Sequence, residues 1–453
     1  MNWSDFRGKT VALLGGGMEN LALIPHLLKA GAVVSVCDQS AIKLPRQYRN
    51  IQKLVGPNYL NNLGEFAVIF RSPGLPVKQV REALKGQRNK PHQTSATDLF
   101  LSMYRDRVVG VTGTKGKGTT ATMLGSILSA EGRPHFVAGN IGRPIFEVLD
   151  MITPQTVVVL ELSSFQLEDI QHSPHGAVIL PVTADHLEPL SPRSPNYHPT
   201  LGAYVQAKAG ITRFQQRGDW VVFAANNHAA STIAQQSVGE HLRVSDQLDA
   251  FAQLENGVVS LTGEKLELSK LGLHGSHIFL DAALAAAAAV KLGVDSEAIR
   301  RGLSKFKPLP HRLQTVAVKG GITFVDDSYA TAPDAAAAAI SAFTEPIVWI
   351  GGGSSKGADF TELVRTIADS SVKAVVLIGQ EAARLSEAIR EGRKQLPIKV
   401  GAASMGQAVQ EALSMAKAGE VVLLSPACAS KDMFRDADER GDLFQGTVNE
   451  LKL

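Results

Sequence analysis

Short runs of β-branched and aliphatic residues alternate along this sequence with segments of helical periodicity. One run, 108–111, ends in a glycine-rich loop, and apolar residues then recur over 123–128 at the spacing of one helix face. This order predicts a buried strand, a loop and an amphipathic helix.

The first hundred residues repeat the alternation. An apolar run at 10–14 is followed by glycines at 15–17, a helical stretch through Ala30 and a second apolar run at 32–37, which ends at Asp38. A strand, a helix and a strand of these lengths form a βαβ unit. We therefore predict a Rossmann-like domain at the start of the chain.

The middle of the chain contains strands of two kinds. The continuous apolar runs 157–160 and 177–182 predict buried parallel strands. The shorter, alternating stretches 220–224, 242–244 and 258–261 predict an antiparallel edge. An alanine-rich helix is predicted to follow that edge.

A linker is predicted at Pro308 and Pro310, because two prolines interrupt the pattern there. Small polar residues follow most of the later apolar runs, as they do in open α/β sheets. The strands predicted in this last part are 322–325, 347–350, 374–378 and 420–424. They indicate a second doubly wound sheet.

The predicted fold class is therefore α/β with three domains. A chain of 453 residues is too long for one ordinary core. We expect an N-terminal Rossmann-like domain over 1–100, a central phosphate-loop domain with a mostly parallel sheet over 101–308, and a C-terminal Rossmann-like domain over 309–453.

Composition narrows the possible functions. The 46 Lys and Arg residues nearly balance the 43 Asp and Glu residues. A net charge of +3 does not indicate the strongly basic composition of a nucleic-acid binder. No run reaches the roughly 18 apolar residues of a membrane span. Cys37 and Cys428 stand in different predicted domains and form neither a disulfide framework nor a metal pair. We expect a cytoplasmic monomer.

The loop after the strand at 108–111 has the composition of a phosphate-binding loop. Its glycines let consecutive N–H groups and the following helix N-terminus point at an anion. Lys117 adds a positive charge for the β- and γ-phosphates, and Thr119 or Thr120 can offer a hydroxyl to Mg²⁺. Gly118 departs from the common loop, in which Ser or Thr follows Gly-Lys directly. A plain glycine turn is the alternative. The predicted nucleotide-binding residues are Gly113, Thr114, Lys115, Gly116, Lys117, Gly118, Thr119 and Thr120.

Polar residues also follow the two predicted central strands. Glu161 suits Mg²⁺, which prefers oxygen donors shared with nucleotide phosphates. Asp185 could bind or orient the metal, and His186 could be a metal ligand or a hydrogen-bond partner of substrate. Each could also be a solvated or structural residue at a strand end. The pattern alone gives Lys208 no role, since a lysine on an amphipathic helix is usually exposed.

Two loops of the first domain are candidate ligand loops. Gly15 and Gly17, with Asp38 about twenty residues on, match part of a dinucleotide-binding fingerprint, although Asn20 replaces the third glycine. A structural βαβ turn is the alternative. The Pro-Gly turn that contains Ser72 is a second candidate, and turn chemistry alone also explains it.

A set of short motifs, unspecific one by one, occurs in a fixed order from residue 113 to residue 441. The motifs are Gly113-Thr-Lys-Gly-Lys-Gly-Thr-Thr120, Asn140-Ile-Gly142, Glu161-Leu-Ser-Ser-Phe-Gln166, Asp185-His186, Ala207-Lys208, His311-Arg312, Asp327-Ser328, Leu424-Ser-Pro-Ala-Cys-Ala-Ser430 and Glu439-Arg-Gly441. On these motifs the chain resembles the Mur ligases of peptidoglycan synthesis along nearly its whole length. Two of these motifs, Glu161 to Gln166 and Ser425 to Ser430, are similar to those of the family members that add D-glutamate.

The resemblance implies ATP-dependent ligation of glutamate to UDP-N-acetylmuramoyl-L-alanine through an acyl phosphate. This step belongs to peptidoglycan precursor synthesis, and so to cell wall growth, cell shape and division. The resemblance also implies two Mg²⁺ ions, the first at Thr119 and Glu161 and the second at His186 and Lys208. In the family this lysine is carbamylated. The catalytic residues so implied are Lys117, His186 and Lys208.

Further binding residues are carried over from the family motifs. Arg312 and Asp327 are implied to hold the ribose and phosphate region of ATP, and Asp281 stands at the position that faces adenine. The first domain would hold the UDP group. The implied substrate-binding residues are Gly15, Gly17, Met18, Asp38, Gln39, Ser40, Ser72, Asn140, Ser163, Ser164, Gln166, Thr331, Lys356, Ser430 and Lys431.

Several positions depart from the family pattern. Tyr329 replaces a lysine, Ser354 and Ser355 replace an acid, Ala437 replaces an aromatic residue and Asp281 replaces an asparagine. L-glutamate or another amino acid therefore stays open as the substrate. A folylpolyglutamate-type ligase is disfavoured by the UDP-like first domain, and a non-ligating nucleotide-binding regulator is a third alternative.

Overall fold

Three β-sheets, each flanked by helices, make up the described part of this chain. The computed structural model describes residues 1–140, 144–187, 196–273, 275–307, 310–354 and 358–452. Two compact units contain these sheets. The first unit holds two sheets within residues 1–273 and 277–306, and the second holds the third sheet from residue 307 onward. The predicted α/β class is confirmed, while the exact domain boundaries stay predictions.

The first sheet has the strand order β3-β2-β1-β4-β5, and the strands are parallel. Its elements are β1 (Thr10–Leu14), α1 (Met18–Lys29), β2 (Val33–Asp38), β3 (Gln52–Val55), β4 (Val68–Arg71), α2 (Val77–Ala83), β5 (His92–Thr94) and α3 (Ala96–Tyr104). The order reverses between β1 and β4. Open α/β sheets bind ligands in the crevice at such a reversal, and the loops that contain Gly15 and Ser72 start there.

The second sheet has the strand order β14-β13-β12-β11-β10-β9-β6-β8-β7. Its strands are β6 (Val108–Thr112), β7 (His135–Gly139), β8 (Val157–Glu161), β9 (Gly176–Ile179), β10 (Trp220–Ala224), β11 (Glu240–Ser245), β12 (Ala252–Glu255), β13 (Val258–Leu261) and β14 (Glu264–Glu267). Its helices are α4 (Lys117–Glu131), α5 (Ser164–Leu167), α6 (Leu201–Lys208), α7 (Gly210–Arg213), α8 (His228–Ala234), α9 (Ser276–Lys291) and α10 (Ser296–Ser304).

The predicted antiparallel edge is only partly correct. Strands β10 and β11 pair in parallel with their neighbours, and the antiparallel pairing begins between β12 and β13. The prediction was wrong for 220–224 and 242–244 because a stretch of three to five residues has the same appearance in either kind of pairing. Helix α8 lies between β10 and β11, which permits the parallel crossover.

The core of the second sheet explains why the phosphate loop begins where it does. All five residues of β6 are buried, so the strand carries no polar side chain to solvent before its end. Helix α9 packs residues 282–289, which are alanines except for Leu284, into the same cluster as the apolar face of α4. Small side chains allow close packing of α9, which brings its Asp281 close to the loop between β6 and α4.

The third sheet has the order β15-β16-β20-β17-β18-β19 and is parallel except for the edge strand β15. Its elements are β15 (Gln314–Lys319), β16 (Ile322–Asp326), α11 (Pro333–Ile340), β17 (Ile347–Gly352), α12 (Thr361–Asp369), β18 (Val372–Ile378), α13 (Ala382–Gly392), β19 (Ile398–Ala402), α14 (Met405–Met415), β20 (Val421–Leu424) and α15 (Ala437–Glu450). The four predicted strands are confirmed as β16, β17, β18 and β20. Strands β15 and β19 were not predicted, since their exposed polar residues hide the apolar pattern.

Among the described residues, no helix combines the length and the apolar character that crossing a lipid bilayer requires.

Candidate active site

The glycine-rich loop lies where the sequence predicted it, between β6 and α4. Gly116 caps the helix with a φ of 81°, a left-handed conformation that favours glycine. A Cβ at Gly113 would lie 2.5 Å from the Cβ of Leu180, and one at Gly116 would lie 2.5 Å from Leu180 Cδ2 and overlap the Asp281 carboxylate. The loop therefore has no room for side chains at these two positions.

Two side chains of the loop are bound to its own surroundings. Thr114 is buried, and its hydroxyl donates to the carbonyl of Thr183 at 3.1 Å and accepts from the Thr183 N–H at 3.0 Å. Lys117 Nζ donates to the Thr114 carbonyl at 2.9 Å. Thr114 therefore fixes the loop to the end of β9, and the ammonium group of Lys117 lies against the loop, at the place where a phosphate would be held.

The two threonines at the start of α4 differ in exposure. Thr120 is fully buried beside Asp281, whereas Thr119 is half-buried. Of the two hydroxyls that the sequence offered for a metal, only that of Thr119 has access to solvent. Burial raises the pKa of Asp281 well above its usual value, and the neighbouring Thr120 hydroxyl and the charge of Lys117 oppose this. The loop thus packs over an acidic residue with a strong tendency to stay protonated.

Lys208 is the most unusual side chain of the second sheet. It is only 1 % exposed, and its Nζ donates to the carbonyl of Gly113 at 2.8 Å and lies 3.5 Å from Thr112 Oγ1. The amine also lies 4.6 Å from the centre of the Tyr204 ring. Burial, and secondly the charge of Lys117, lower its pKa well below the usual value. A lysine that the pattern alone classed as exposed is therefore a buried amine at the phosphate loop.

Glu161 ends the strand next to β6. Its carboxylate accepts a hydrogen bond from Asn140 Nδ2 at 3.1 Å, and the backbone of the same two residues is joined by a 2.9 Å hydrogen bond. Glu161 is buried, and its negative charge favours the charged form of Lys208. The structure thus groups Asn140, Glu161 and Lys208 around the carboxyl ends of β6 and β8. Residues 141–143, which complete the Asn140-Ile-Gly142 motif, lie outside the described residues.

His186 has a backbone φ of 55°, a conformation that non-glycine residues rarely adopt. Its N–H donates to Asp185 Oδ1 at 2.8 Å, and its ring contacts Phe165 edge-on. Positions with such backbone strain often occur at functional sites. The pair Asp185 and His186 therefore has a specific geometry, unlike a solvated strand end.

His198 was not predicted from the sequence. Its ring stacks on Phe165 at 4.8 Å, its Nε2 lies 2.9 Å from Ser164 Oγ, and its backbone N–H donates to the His186 carbonyl. Burial lowers its pKa to about 4, so the ring is neutral near pH 7. His198 lies in a proline-rich segment without periodicity, and nothing there distinguishes it from a loop histidine.

The loops of the first sheet meet at the reversal of strand order. Gly15 has a φ of 95°, and a Cβ there would lie 2.7 Å from Ser72 Cβ. Asp38 accepts from the N–H groups of Gly16 and Ser40, each at 2.8 Å. The structure thus brings the two candidate loops together, and Asp38 has its carboxylate bound to backbone. Gln39 and Ser40 are exposed, and the Met18 side chain is 74 % exposed.

Asn20, which replaces the third fingerprint glycine, has a structural task. Its side-chain amide donates to the carbonyls of Leu14 and Gly15 at 3.1 and 3.0 Å. The residue before it in α1, Glu19, is half-buried and accepts a hydrogen bond from the amide of Gln166. Desolvation raises the pKa of Glu19, and the Gln166 hydrogen bond opposes that shift. Gln166 therefore contacts helix α1 of the first domain. Sequence reasoning missed this contact with Glu19.

A second link joins the first two sheets. Arg71, at the end of β4, forms an ion pair with Asp169 at 2.5 and 2.6 Å and donates to the Phe165 carbonyl at 2.7 Å. Its guanidinium is almost completely buried. The segment that follows Glu161, with Ser163 and Ser164 at the start of α5, is thus tied to the first domain at two points.

The third sheet has its own cluster of predicted residues. Asp327 is buried, accepts from Ser425 Oγ at 2.8 Å and from the Leu313 N–H at 3.2 Å, and burial raises its pKa to about 7. Arg312 lies over the ring of Tyr329, 5.1 Å from its centre. These residues share the carboxyl ends of β16 and β20.

Arg440 was not assigned a role from the sequence, yet it organises this end of the sheet. It is fully buried, and it donates to Ser328 Oγ, to the Ser328 carbonyl and to the Cys428 carbonyl at 3.0, 2.8 and 3.1 Å. Burial lowers its pKa to about 10. Gly441 has no room for a Cβ, because the His311 ring packs directly against it. The Glu439-Arg-Gly441 motif thus holds together the loops that carry Thr331 and Ser430.

Four predicted residues remain to be placed. Ser430 is buried, Thr331 is half-buried and Lys431 is exposed, all in the third-sheet unit. Lys356 lies outside the described residues. No group of three or more His, Cys, Asp or Glu side chains with the geometry of a metal site occurs in the described ranges. The metal residues predicted here include a hydroxyl and an amine, so such a group was not expected.

Comparisons with protein families match two parts of the chain. Residues 111–290 match the Mur ligase middle domain, and residues 311–428 match the Mur ligase glutamate ligase domain. These regions contain the phosphate loop, Lys208, Arg312 and Asp327.

Individual relatives extend the similarity to both ends of the chain. A protein of Symbiobacterium thermophilum named UDP-N-acetylmuramoylalanine--D-glutamate ligase is 36 % identical over 97 % of this chain and 98 % of its own length. A protein of the same name from Pelotomaculum thermopropionicum is 35 % identical over 99 % of both chains. Among solved structures, a MurF ligase of Thermotoga maritima in complex with ADP superposes with a TM-score of 0.59 at 18 % identity, over 99 % of this chain and 97 % of that one. The sequence identities and the matched domains show that this chain belongs to the Mur ligase family.

Proposed function

We propose that this protein joins D-glutamate to UDP-N-acetylmuramoyl-L-alanine with cleavage of ATP to ADP and phosphate. The proposal depends on the relatives of that name, which are 35–36 % identical over 97–99 % of this chain. The enzyme would act in peptidoglycan precursor synthesis, in the cytoplasm and as a monomer, on small soluble substrates and without nucleic acid or membrane.

The phosphate loop supplies the first half of the chemistry. Backbone N–H groups of the loop and the N-terminus of α4 bind the phosphates of ATP, and Lys117 exchanges the Thr114 carbonyl for phosphate oxygens. An oxygen of the substrate carboxylate attacks the γ-phosphorus, the bond to the β-phosphate oxygen breaks, and ADP leaves. Because negative charge increases on the transferred group, the fixed positive charge of Lys117 stabilises the transition state more than the ground state.

The second half forms the amide bond. The neutral amine of glutamate attacks the acyl carbon, the bond from that carbon to the phosphate oxygen breaks, and phosphate and one proton are released. Backbone and side-chain donors that are already fixed in place stabilise the tetrahedral intermediate without reorganisation. Exclusion of water protects the acyl phosphate from hydrolysis.

The side chains around the loop fit Mg²⁺. Thr119 and Glu161 would hold one ion, and His186 and Lys208 the other, with the remaining positions filled by phosphate oxygens and water, as is usual for this metal. When bound, Mg²⁺ neutralises charge on the phosphate oxygens. The fit is supported by the buried Glu161 carboxylate, of which the structure shows one oxygen hydrogen-bonded to Asn140, and by the half-buried hydroxyl of Thr119.

Carbamylation of Lys208 is part of this proposal. A neutral amine adds to CO₂ to give a carbamate and one proton, and burial of the Lys208 amine, which is 1 % exposed, lowers its pKa and favours the neutral form. The product keeps the nitrogen and adds two oxygens that share one negative charge, and Mg²⁺ prefers such oxygens as ligands. A ¹³C signal of a carbamate should appear in protein incubated with ¹³C-bicarbonate and be absent from Lys208→Met. An unmodified Lys208 under those conditions would contradict this part of the proposal.

The first sheet would hold the nucleotide part of the second substrate. Gly15, Gly17 and Met18 border the reversal of strand order, where the N-terminus of α1 can receive a diphosphate. Asp38 shapes this loop through two backbone N–H groups. Gln39 and Ser40 are exposed beside it and can contact the base.

Release of phosphate from ATP tests the proposal. Phosphate should appear only with UDP-N-acetylmuramoyl-L-alanine and glutamate together, and D-glutamate should be used at least tenfold better than L-glutamate. If L-glutamate is the better substrate, only the stereochemistry of the proposal is wrong. If phosphate release does not depend on the nucleotide sugar, or no release occurs while ATP binds, the ligase function is wrong and a regulatory nucleotide-binding role takes its place.

A further inference from the structure

Tyr329, which stands where the family pattern has a lysine, has three defined contacts. The guanidinium of Arg312 lies 5.1 Å from the centre of its ring. Its hydroxyl donates to the carboxylate of Asp438, with distances of 3.0 and 2.9 Å to the two oxygens. The His311 ring is nearly parallel to it at 6.3 Å. A residue that is 38 % exposed therefore has its ring and its hydroxyl both fixed.

The backbone around Arg312 is also fixed, in an uncommon conformation. His311 and Leu313 have φ values of 59° and 46°, both in the left-handed region that residues other than glycine seldom adopt. Hydrogen bonds from the Leu313 N–H to Asp327 and from the Tyr329 N–H to the His311 carbonyl hold this turn. Strain of this kind persists where several contacts determine the same geometry. The starting point of the Arg312 side chain is thus set before any ligand binds.

The contact with Tyr329 directs Arg312 without neutralising it. Across the described residues Arg312 takes part in no ion pair, so its charge is available to an anion. A carboxylate in place of the ring would bind the guanidinium at both nitrogens and compete with a phosphate. The negative face of an aromatic ring attracts the cation through its quadrupole and leaves the N–H donors in the plane of the guanidinium unused.

Asp438 completes the arrangement. Because it accepts the phenol hydrogen, it fixes the rotation of the ring and increases the electron density of the ring face toward Arg312. Asp438 lies in the first turn of α15, next to Ala437, whose carbonyl accepts from Ser328 Oγ at 2.7 Å. The helix that carries Asp438 is therefore attached to the loop that carries Tyr329.

We propose that Tyr329 is a positioning residue that holds the Arg312 guanidinium in place for an anionic group of the nucleotide, with Asp438 fixing the ring. The inference rests on the proposed function, in which Arg312 contacts ATP. In the family pattern a lysine stands at this position. Here the aromatic ring takes over the placement of the neighbouring cation, and the pocket loses one positive charge.

A double-mutant cycle on ADP binding tests this inference. Affinity of the full chain for Mg²⁺ and ADP is measured by calorimetry in Tyr329→Leu, Arg312→Ala and the double variant. We expect Tyr329→Leu to weaken ADP about fivefold to tenfold, which is the range of a single cation–π contact. In the Arg312→Ala background the same change should alter affinity less than twofold. Tyr329→Phe, which keeps the ring, should stay within about threefold of the wild type.

Controls separate positioning from a structural role. Melting temperatures of all variants should agree with that of the wild type to within a few degrees, and the KM for the nucleotide sugar should not change in Tyr329→Leu. An unaltered ADP affinity in Tyr329→Leu overturns the inference, and so does an equal loss in both backgrounds. If the wild-type chain binds no ADP, the proposed function itself is wrong and the inference is lost with it.

Discussion

Two strand ends carry most of the residues predicted to bind nucleotide, and their construction differs. At the end of β6 the backbone itself is fixed, because Gly113 and Gly116 pack against Leu180 and Asp281 with no space for a Cβ. At the end of β16 side chains from distant segments fix the geometry, above all Arg440 and the pair Tyr329 and Asp438.

The difference bears on how each strand end tolerates substitution. A loop whose function depends on backbone N–H groups and close packing tolerates few residues besides glycine. A pocket built from side chains can exchange one set of contacts for another, provided that the exchanged residues remain paired. The departures at Tyr329 and Ala437 occur in the second kind of site, and the departure at Asp281 lies beside the first. The two sites should therefore respond differently to substitution.

The largest expected effect is on catalysis at the first strand end. Lys117→Ala removes the fixed charge that faces the transferred phosphate, and we expect kcat to fall by about a thousandfold or more. The melting temperature should change little, since the Lys117 side chain is half-buried and not part of the apolar core. Lys265→Ala, at an exposed lysine of β14, is the matched control and should keep wild-type turnover. Turnover near the wild-type rate in Lys117→Ala would exclude the loop from the mechanism.

The second prediction concerns the packing of the loop backbone. Gly113→Ala should lower the free energy of unfolding by roughly 3 kcal/mol, because the new methyl group meets Leu180 at 2.5 Å. Gly132→Ala, at the other end of α4, shares a positive φ but has open space around it. It should cost only about 1 kcal/mol. Equal losses in the two variants, measured by urea unfolding, would show that backbone conformation and not packing sets the cost.

The third prediction tests the side-chain network at the second strand end. Arg440→Met leaves the carbonyls of Ser328 and Cys428 without their donor, while it removes the cost of burying a cation. We expect a loss of roughly 2 kcal/mol in local stability, seen as faster hydrogen exchange in peptides of β16 and β20. Arg435→Met breaks only the exposed ion pair with Glu439 and should change stability by less than about 0.5 kcal/mol. No difference between the two would mean that Arg440 does not hold the loops together.

The smallest expected effect is a difference between two thiols. Burial raises the pKa of Cys37 and of Cys428 to about 12, so neither should react with a thiol reagent between pH 7 and pH 9 unless its region opens. Cys428 lies at the end of the third sheet that side-chain contacts hold together, and Cys37 lies in strand β2 of the first sheet. In the single variants Cys37→Ala and Cys428→Ala, we expect the remaining Cys428 to be labelled a few times faster than Cys37. Faster labelling of Cys37 would reverse the comparison.

The sequence was sufficient for features that depend on local pattern. Continuous apolar runs located the buried parallel strands, because a strand covered on both faces needs apolar residues at every position. The glycine-rich loop was readable for the same reason, since backbone geometry limits each position separately. The direction of β10 and β11 was not readable, because it depends on the connection between strands and not on the strands themselves.

Contacts between distant segments were not accessible in this way. Arg440 binds Ser328 across more than a hundred positions, and Glu19 meets Gln166 across a similar separation. Neither pair has a local signature, and a single arginine in a helix is usually exposed. The burial of Lys208 was equally hidden, since its helix shows ordinary periodicity and only the tertiary fold takes its amine to Gly113.

The close packing of Gly113 and Gly116 also bears on inhibitor resistance. A compound that hydrogen-bonds the backbone of this loop would contact atoms that substitution cannot alter, and the usual route to resistance, a bulkier side chain at the contact, is closed at both positions. A compound directed at Tyr329 or Ala437 would face the opposite situation, because those positions have already changed relative to the family. The durability of an inhibitor would therefore depend on which of the two strand ends it occupies.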